Sequence, residues 1–126
     1  MAIREKERAG AVVLKPDSDI TWKNQPELKR VLDQLSANGQ KHIIIDLSHV
    51  REISGYGLGL LASRCGRLRR DHGDIRLANA SDPIKRVLQV TALDDLFEQF
   101  DSADNAVRSF SIIDRGVDQS EEDEEE

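Results

Sequence analysis

Short apolar runs alternate with polar, turn-forming stretches along this chain, and their periodicity predicts strands and helices in turn. Ala11–Leu14 and Ile75–Ala78 are predicted strands, and the β-branched run of His42–Leu47 is typical of a strand that is covered on both faces. The residues before Gly10 are expected to form one further strand, paired with the first run as a hairpin through Ala9 and Gly10.

A first helix is predicted after Asn24, which is expected to cap it with its side chain. Glu27 stands three residues later, as in a capping box, and Pro26 fits the first turn. Asn38-Gly39 ends the helix. Its apolar stripe follows the spacing i, i+3, i+4, i+7 on Leu28, Val31, Leu32 and Leu35.

Three further helices complete the pattern. The second is predicted over Gly57–Arg70, the third from Ser81, and a fourth from Ser102 or Asp104, with a short strand within 93–100. Strands and helices in alternation indicate a mostly parallel sheet with helices packed on it. The expected fold class is therefore α/β, with four to five strands and four helices in a single domain.

Length and charge divide the chain into a domain and a tail. At 126 residues it suits one domain, which we expect over 1–110. Residues 111–126 are expected to be a disordered acidic tail, because 120–126 alone carry six acids. Without those six, 18 acidic residues balance the 18 lysines and arginines, so bulk charge does not favour nucleic acid as a partner.

The cysteine content and the first residues of the sequence predict the cellular compartment. Cys65 is the single cysteine, and the charged start, Met1 to Arg8, has no signal-like apolar core. No apolar run approaches the ~18 residues of a membrane span. We therefore expect a cytoplasmic protein that does not insert into membranes.

No catalytic or metal-binding constellation is evident. His42, His49 and His72 lack the spacing of a metal site, and each is expected to be exposed or in a loop. Cys65 falls on the apolar stripe of the second helix, as a core residue would. We expect no metal, no cofactor and no enzymatic activity.

Two motifs suggest other chemistry, but only weakly. Gly57–Ala62 matches the dinucleotide pattern G-x-G-x-x-A, yet about ten residues separate Gly57 from the preceding apolar run, and the pattern needs a tight turn there. The alternative is that Gly57 and Gly59 allow a close approach to neighbouring elements. Asp46 ends a strand like a receiver phosphoacceptor, with Asp17 and Asp19 as the acidic pair, but a matching lysine after Ala78 is missing.

Several segments, in order, resemble STAS domains of the anti-sigma factor antagonist type, over about residues 5–110. Asp46-Leu47-Ser48 resembles the family's strand end, and Ile53 with Gly57-Leu58-Gly59 fits the frame of its signature, isoleucine-aspartate-serine-serine-glycine-leucine-glycine. Ile75–Asn79 and Val87–Phe97 resemble later segments of the family. The resemblance implies a bacterial partner-switching protein that binds an anti-sigma factor with a histidine-kinase-like ATPase fold.

The chain departs from the family at the residue that the resemblance marks for phosphorylation. Tyr56 occupies the place of the family's phosphoserine, Gly55 that of the first serine and Ser54 that of the aspartate. Ser54 and Tyr56 are the phosphorylation candidates. Three outcomes are consistent with this departure: constitutive binding without phospho-control, phosphorylation at Ser54, or a different STAS role as a stressosome-like scaffold or transporter-associated subunit.

The predicted docking surface is the loop and start of the second helix, which stand where the family carries its phosphorylation site. Two arginines further along that helix are candidates for pairing with an acidic partner; the alternative is that they are only solvated charges of the helix. We expect a monomer or weak dimer, and a nucleotide-binding α/β domain remains the competing class. The predicted partner-binding residues are Glu52, Ile53, Ser54, Gly55, Tyr56, Gly57, Leu58, Arg64 and Arg67.

Overall fold

The apolar runs form one five-stranded sheet in the order β1-β2-β3-β4-β5. The strands are β1 (Ile3–Arg8), β2 (Ala11–Pro16), β3 (His42–Asp46), β4 (Asp74–Ala78) and β5 (Gln99–Phe100). The helices are α1 (Gln25–Ala37), α2 (Gly55–Arg70), α3 (Asp82–Val90) and α4 (103–110). The predicted α/β class and the four helices are confirmed. The computed structural model describes residues 1–110; the predicted disordered tail, 111–126, lies outside the described residues.

Strand pairing follows the predicted hairpin and crossovers. β1 is antiparallel to β2, while β2, β3, β4 and β5 are parallel to one another. Because such crossovers share one hand and the strand order never reverses, α1, α2 and α3 all fall on the same face of the sheet. That face holds the larger core, and α4 covers the opposite face.

Alternation along β2 and β3 divides the apolar residues between these two layers. Val12 and Leu14 pack towards α1 and α2, whereas Val13 packs with Ile44 towards α4. The apolar β3 run is buried throughout, as expected for a strand covered on both sides.

The buried Arg76 side chain of β4, paired with the buried Asp74, connects the sheet to α4. The Arg76 guanidinium donates from Nε to Asp74 Oδ2 at 3.0 Å and from Nη1 to Ser109 Oγ at 2.6 Å. It also lies 4.0 Å from the centre of the Phe110 ring, which stacks on His42 with ring centres 4.7 Å apart. The expectation that His42 is exposed or in a loop is wrong, because this ring is a half-buried part of β3.

Some helix starts differ from the predictions. α2 begins at Gly55, two residues early, because Ser54 caps it with its side chain. Asn24 lies at the start of α1 but makes no side-chain cap, since its amide turns back towards Thr21 and Asp19. The predicted strand within 93–100 shrinks to Gln99–Phe100, because 92–96 form a turn after α3. Ser102 Oγ accepts from Asn105 N and opens α4.

The glycines of α2 have different packing. A Cβ built on Gly57 would lie 2.7 Å from Ile20 Cγ2 and 2.9 Å from Ile53 Cγ2. A Cβ on Gly59 would meet nothing within 4 Å. The interpretation of both glycines as close-approach positions is therefore right for Gly57 and wrong for Gly59.

We expect Gly57→Ala to lower the free energy of unfolding by about 1–3 kcal/mol, because the added methyl overpacks Ile20 and Ile53. Gly59→Ala is the matched control on the same helix. It should raise stability by about 0.5–1 kcal/mol, because alanine is the better helix former. Urea unfolding of both variants measures the difference, and equal effects would contradict the packing argument.

Cys65 is fully buried, and its thiol donates to Asp74 Oδ1 at 3.3 Å. Burial raises the pKa of the Cys65 thiol from 9.0 to about 11, and the Asp74 carboxylate adds to the rise. The predicted core role is confirmed by this burial.

We expect Cys65 to resist thiol reagents at pH 8 in the folded protein and to react once the chain is unfolded. Because the unfolded thiol ionises first, the free energy of unfolding should fall as pH rises from 9.0 to about 11. Cys65→Ala should remove that part of the fall. Fast labelling of the native protein, or an unchanged pH slope in the variant, would contradict this account.

Candidate functional site

The start of α2 is built by the serine that precedes it. Ser54 has an extended backbone, and its Oγ accepts from Gly57 N at 3.1 Å. Its carbonyl accepts from Leu58 N at 2.9 Å. The hydroxyl thus satisfies one of the free N–H groups of the first turn, and the side chain stays partly exposed.

The loop before α2 is tied to the segment that follows β2. Ile20 N donates to Glu52 O at 3.0 Å, and Ser54 N donates to Ile20 O at 2.8 Å, around a parallel bridge between Ile20 and Ile53. Asp19 Oδ1 accepts from Arg51 N at 2.7 Å and from Glu52 N at 3.2 Å. These bonds fix the loop backbone in one geometry, so its exposed side chains project from a rigid base.

Two large aromatic side chains are exposed beside this rigid loop. Tyr56 is 71% exposed and Trp22 is 65% exposed. Together with Ser54 and Gly55 they line an open depression of about 470 Å³. We call these four residues the aromatic patch. Large apolar side chains gathered on a surface mark interaction sites.

Trp22 is the residue that sequence reasoning missed. It stands in a polar turn outside any apolar stripe, so periodicity gives no signal for it. Asn24 shapes that turn: its Oδ1 accepts from Thr21 N at 2.8 Å and its Nδ2 donates to Asp19 O at 2.8 Å. The one available signal is the presence of a large aromatic residue in a polar, turn-forming stretch, where no core position is expected.

A groove adjoins the loop on its other side, between α2 and α3. It has a volume of about 280 Å³ and includes Glu52 on its rim and Val87, which is 37% exposed. Its other lining residues are Arg51, Ile53, Leu58, Pro83 and Ile84. Ile53 and Leu58 are buried at 9% and 5% exposure, so they form the floor of this groove rather than its rim.

The remaining predicted site residues are divided between surface and interior. Gly57 is buried against Ile20, so it shapes the helix start from within. Arg64 does not extend to solvent as expected: its Nε donates to Asp33 Oδ1 on α1 at 2.9 Å, which lowers the pKa of the Asp33 carboxyl. Arg67 is exposed as predicted. Arg64 therefore links α2 to α1. Of the two arginines, only Arg67 is exposed and available to a binding partner.

The two motifs that suggested nucleotide binding or a receiver aspartate have structural roles instead. The glycine run lies inside α2, not in a turn between strand and helix, so it does not form a dinucleotide loop. Asp46 is buried, and its Oδ1 accepts from Ser48 N and Asn79 Nδ2, which ties the end of β3 to that of β4.

Residues 1–110 contain neither a candidate metal site nor a candidate membrane span. No cluster of three or more histidine, cysteine, aspartate or glutamate side chains in this part of the chain has the arrangement to hold a metal ion. None of its helices is long and apolar enough to cross a membrane.

Comparison with known proteins agrees with this geometry. The family model for the STAS domain matches residues 2–106. An anti-sigma-B factor antagonist from Staphylococcus aureus is 31% identical over 71 residues, which is 56% of this chain and 66% of that protein. The chain thus matches slightly less than two thirds of this relative's length.

Solved structures share the fold. An anti-sigma factor antagonist from Mycobacterium paratuberculosis superposes with a TM-score of 0.76 at 24% identity, covering 86% of this chain and 92% of that one. A sulfate transporter family protein from Wolinella succinogenes gives 0.74 at 18% identity, covering 86% and 90%. The family match over residues 2–106, in agreement with the fold shared with these structures, identifies this chain as a member of the STAS domain family.

Proposed function

We propose that this protein is an anti-sigma factor antagonist that acts by binding a partner anti-sigma factor through the aromatic patch. The single observation that carries the proposal is the pair of exposed aromatic side chains, Trp22 and Tyr56, on the rigid loop at the start of α2. Rigid aromatic anchors supply much of the affinity in protein interfaces. The Staphylococcus aureus relative, named an anti-sigma-B factor antagonist, supports this kind of partner.

The proposed partner is an anti-sigma factor with a histidine-kinase-like ATPase fold, and the proposed setting is the bacterial cytoplasm. The protein is a regulator that works by reversible association rather than by catalysis, as a monomer or weak dimer. Glu52 and Arg67 extend the contact beyond the aromatic patch, because both side chains are exposed.

We further propose that binding is constitutive with respect to serine phosphorylation. Tyr56 has replaced the family's phosphoserine, and its phenolic oxygen extends several ångströms further from the backbone than a serine hydroxyl. Ser54 is the remaining serine candidate, and its Oγ is engaged as the helix cap with Gly57 N. With an aromatic residue in the serine position and Ser54 engaged as the cap, the surface stays available for reversible binding without phosphate control.

A second function, as a transporter-associated or scaffold subunit, is favoured by the shared fold with the Wolinella succinogenes transporter family protein. Affinity capture from the native cytoplasm distinguishes the two, with the double variant Trp22→Ala/Tyr56→Ala as the negative bait. Recovery of an ATPase-type anti-sigma factor by the natural chain alone supports the antagonist. Recovery of a transporter or of other STAS proteins instead supports the second function.

Tyr56→Ala and Trp22→Ala should each weaken binding to the captured anti-sigma factor by about 2 kcal/mol, roughly 30-fold in Kd. Because both side chains are largely exposed, the thermal unfolding of the variants should stay close to that of the natural protein. Titration calorimetry with the purified partner measures the loss.

Val90→Ala is the matched control for both variants, because Val90 is an apolar residue of α3 that is 80% exposed and lines neither the patch nor the groove. It should bind normally. The double aromatic variant should show coupling between the two residues if they fill one site on the partner. Unchanged affinity in the Tyr56 variant would remove that residue from the interface.

Ser54→Ala should lower stability by about 1 kcal/mol, because it removes the helix cap, while leaving affinity nearly unchanged. Ser54→Asp keeps a capping oxygen and adds a negative charge, so it separates the cap from the charge. Constitutive binding predicts that this variant also binds. It also predicts no phosphate on Ser54 or Tyr56 by mass spectrometry after incubation with the partner and ATP. Loss of binding in Ser54→Asp alone would indicate phospho-control.

A further inference from the structure

A stripe of basic side chains follows the outer strands of the sheet, on the face that α4 covers. In β1, Arg4, Lys6 and Arg8 alternate with Ile3, Glu5 and Glu7, so the three cations share one face. Lys15 lies opposite Arg4 in the β1–β2 register and therefore on that same face. We call Arg4, Lys6, Arg8 and Lys15 the basic stripe.

The basic stripe forms one wall of a groove of about 510 Å³. The start of α4, at Ala103, closes the other side, and Val13 is part of the lining between them. Glu5 and Asp46 are the acidic residues of its lining, and Asp46 is buried. Arg4 and Lys6 are exposed, while Arg8 and Lys15 are half-buried, so the groove presents four cations to solvent along one strand pair.

The charges around this groove are not balanced within residues 1–110. Of the basic stripe, only Arg8 forms an ion pair in this part of the chain, with Asp104 at 2.5 Å. The Arg8 guanidinium lowers the pKa of the Asp104 carboxyl, and Arg108 and Lys6 lower it further. Four cations line the groove against Glu5 and Asp46, and Asp104 pairs with Arg8, so the groove keeps an excess of positive charge.

An acidic segment of opposite charge belongs to the same chain. Residues 120–126 carry six acids, and the last described residue, Phe110, lies in α4, the helix that borders the groove. Ten residues separate Phe110 from Glu121, and ten extended residues span up to about 35 Å. The eight described residues of α4 span about 12 Å, so a connection of ten residues is long enough to reach back to the basic stripe.

We propose that the acidic residues 121–126 bind the basic stripe of their own chain. The contact is electrostatic and reversible, because pairs between exposed side chains are individually weak and screened by salt. Tethering compensates for this weakness, since a short linker holds its segment at a millimolar effective concentration. The docked segment covers the basic stripe and competes with any other acidic ligand for it. This contact is independent of the aromatic patch.

The experiment compares the full chain with a variant of the same length in which residues 121–126 are neutralised by Glu→Gln and Asp→Asn changes. Backbone amide spectra at about 10 mM salt, where the Debye length is about 30 Å, should differ at Arg4, Lys6, Arg8 and Lys15. The difference should vanish at about 1 M salt, where that length is about 3 Å. It should not change on dilution, because the contact lies within one chain.

Paired variants test the stripe itself. In Arg4→Gln/Lys6→Gln, neutralising the tail should no longer shift the Arg8 and Lys15 amides. Lys85→Gln/Arg86→Gln removes the same charge from exposed positions of α3, and there the shifts should persist. Identical spectra for the full chain and the tail variant at low salt would overturn the proposal. So would shifts centred on Arg67 and Arg70, or shifts that grow with protein concentration.

Discussion

The attachment of the loop 51–54 to the segment around Ile20 is the constraint on which the candidate site depends. Backbone bonds on both sides of the Ile20–Ile53 bridge, together with the Asp19 carboxylate, hold a loop that would otherwise have few partners. Gly57 completes the arrangement because the absence of a side chain lets the first turn of α2 settle onto the same two isoleucines. The rigid display of the aromatic patch follows from this packing and not from the patch itself.

The fold could be predicted from the sequence because its signals are local and repeated. The apolar runs of β2, β3 and β4 and the stripe of α1 each specify their own element, and alternation then fixes the layers. Errors arose where a side chain made its contacts outside the role that the local pattern assigned to it. Asn24 left its expected cap to shape the turn before it, and His42 became part of a stack with Phe110, 68 positions away in the sequence.

The sequence could locate the contiguous part of the candidate site, but it could not predict which distant residues the fold brings to it. Ser54, Gly55 and Tyr56 lie on the surface at the start of α2, as predicted, because they are contiguous with a recognisable helix signal. Trp22 was missed because it comes from another part of the chain, and only the tertiary fold brings it beside Tyr56. Arg64 is the opposite case. Its charge suggested a contact with another molecule, but the guanidinium pairs with Asp33 of α1 within the same chain.

Gly57 is packed against the interior, whereas Trp22 and Tyr56 project into solvent, and this difference decides which positions of the surface tolerate substitution. The side chains of Trp22 and Tyr56 project outward, and the loop is held by main-chain bonds and one carboxylate, so replacements at those two positions leave the scaffold intact. Gly57 has no such freedom, because any larger residue collides with the interior. Recognition chemistry can therefore change at Trp22 and Tyr56 at little cost in stability, whereas the frame beneath them tolerates no such change.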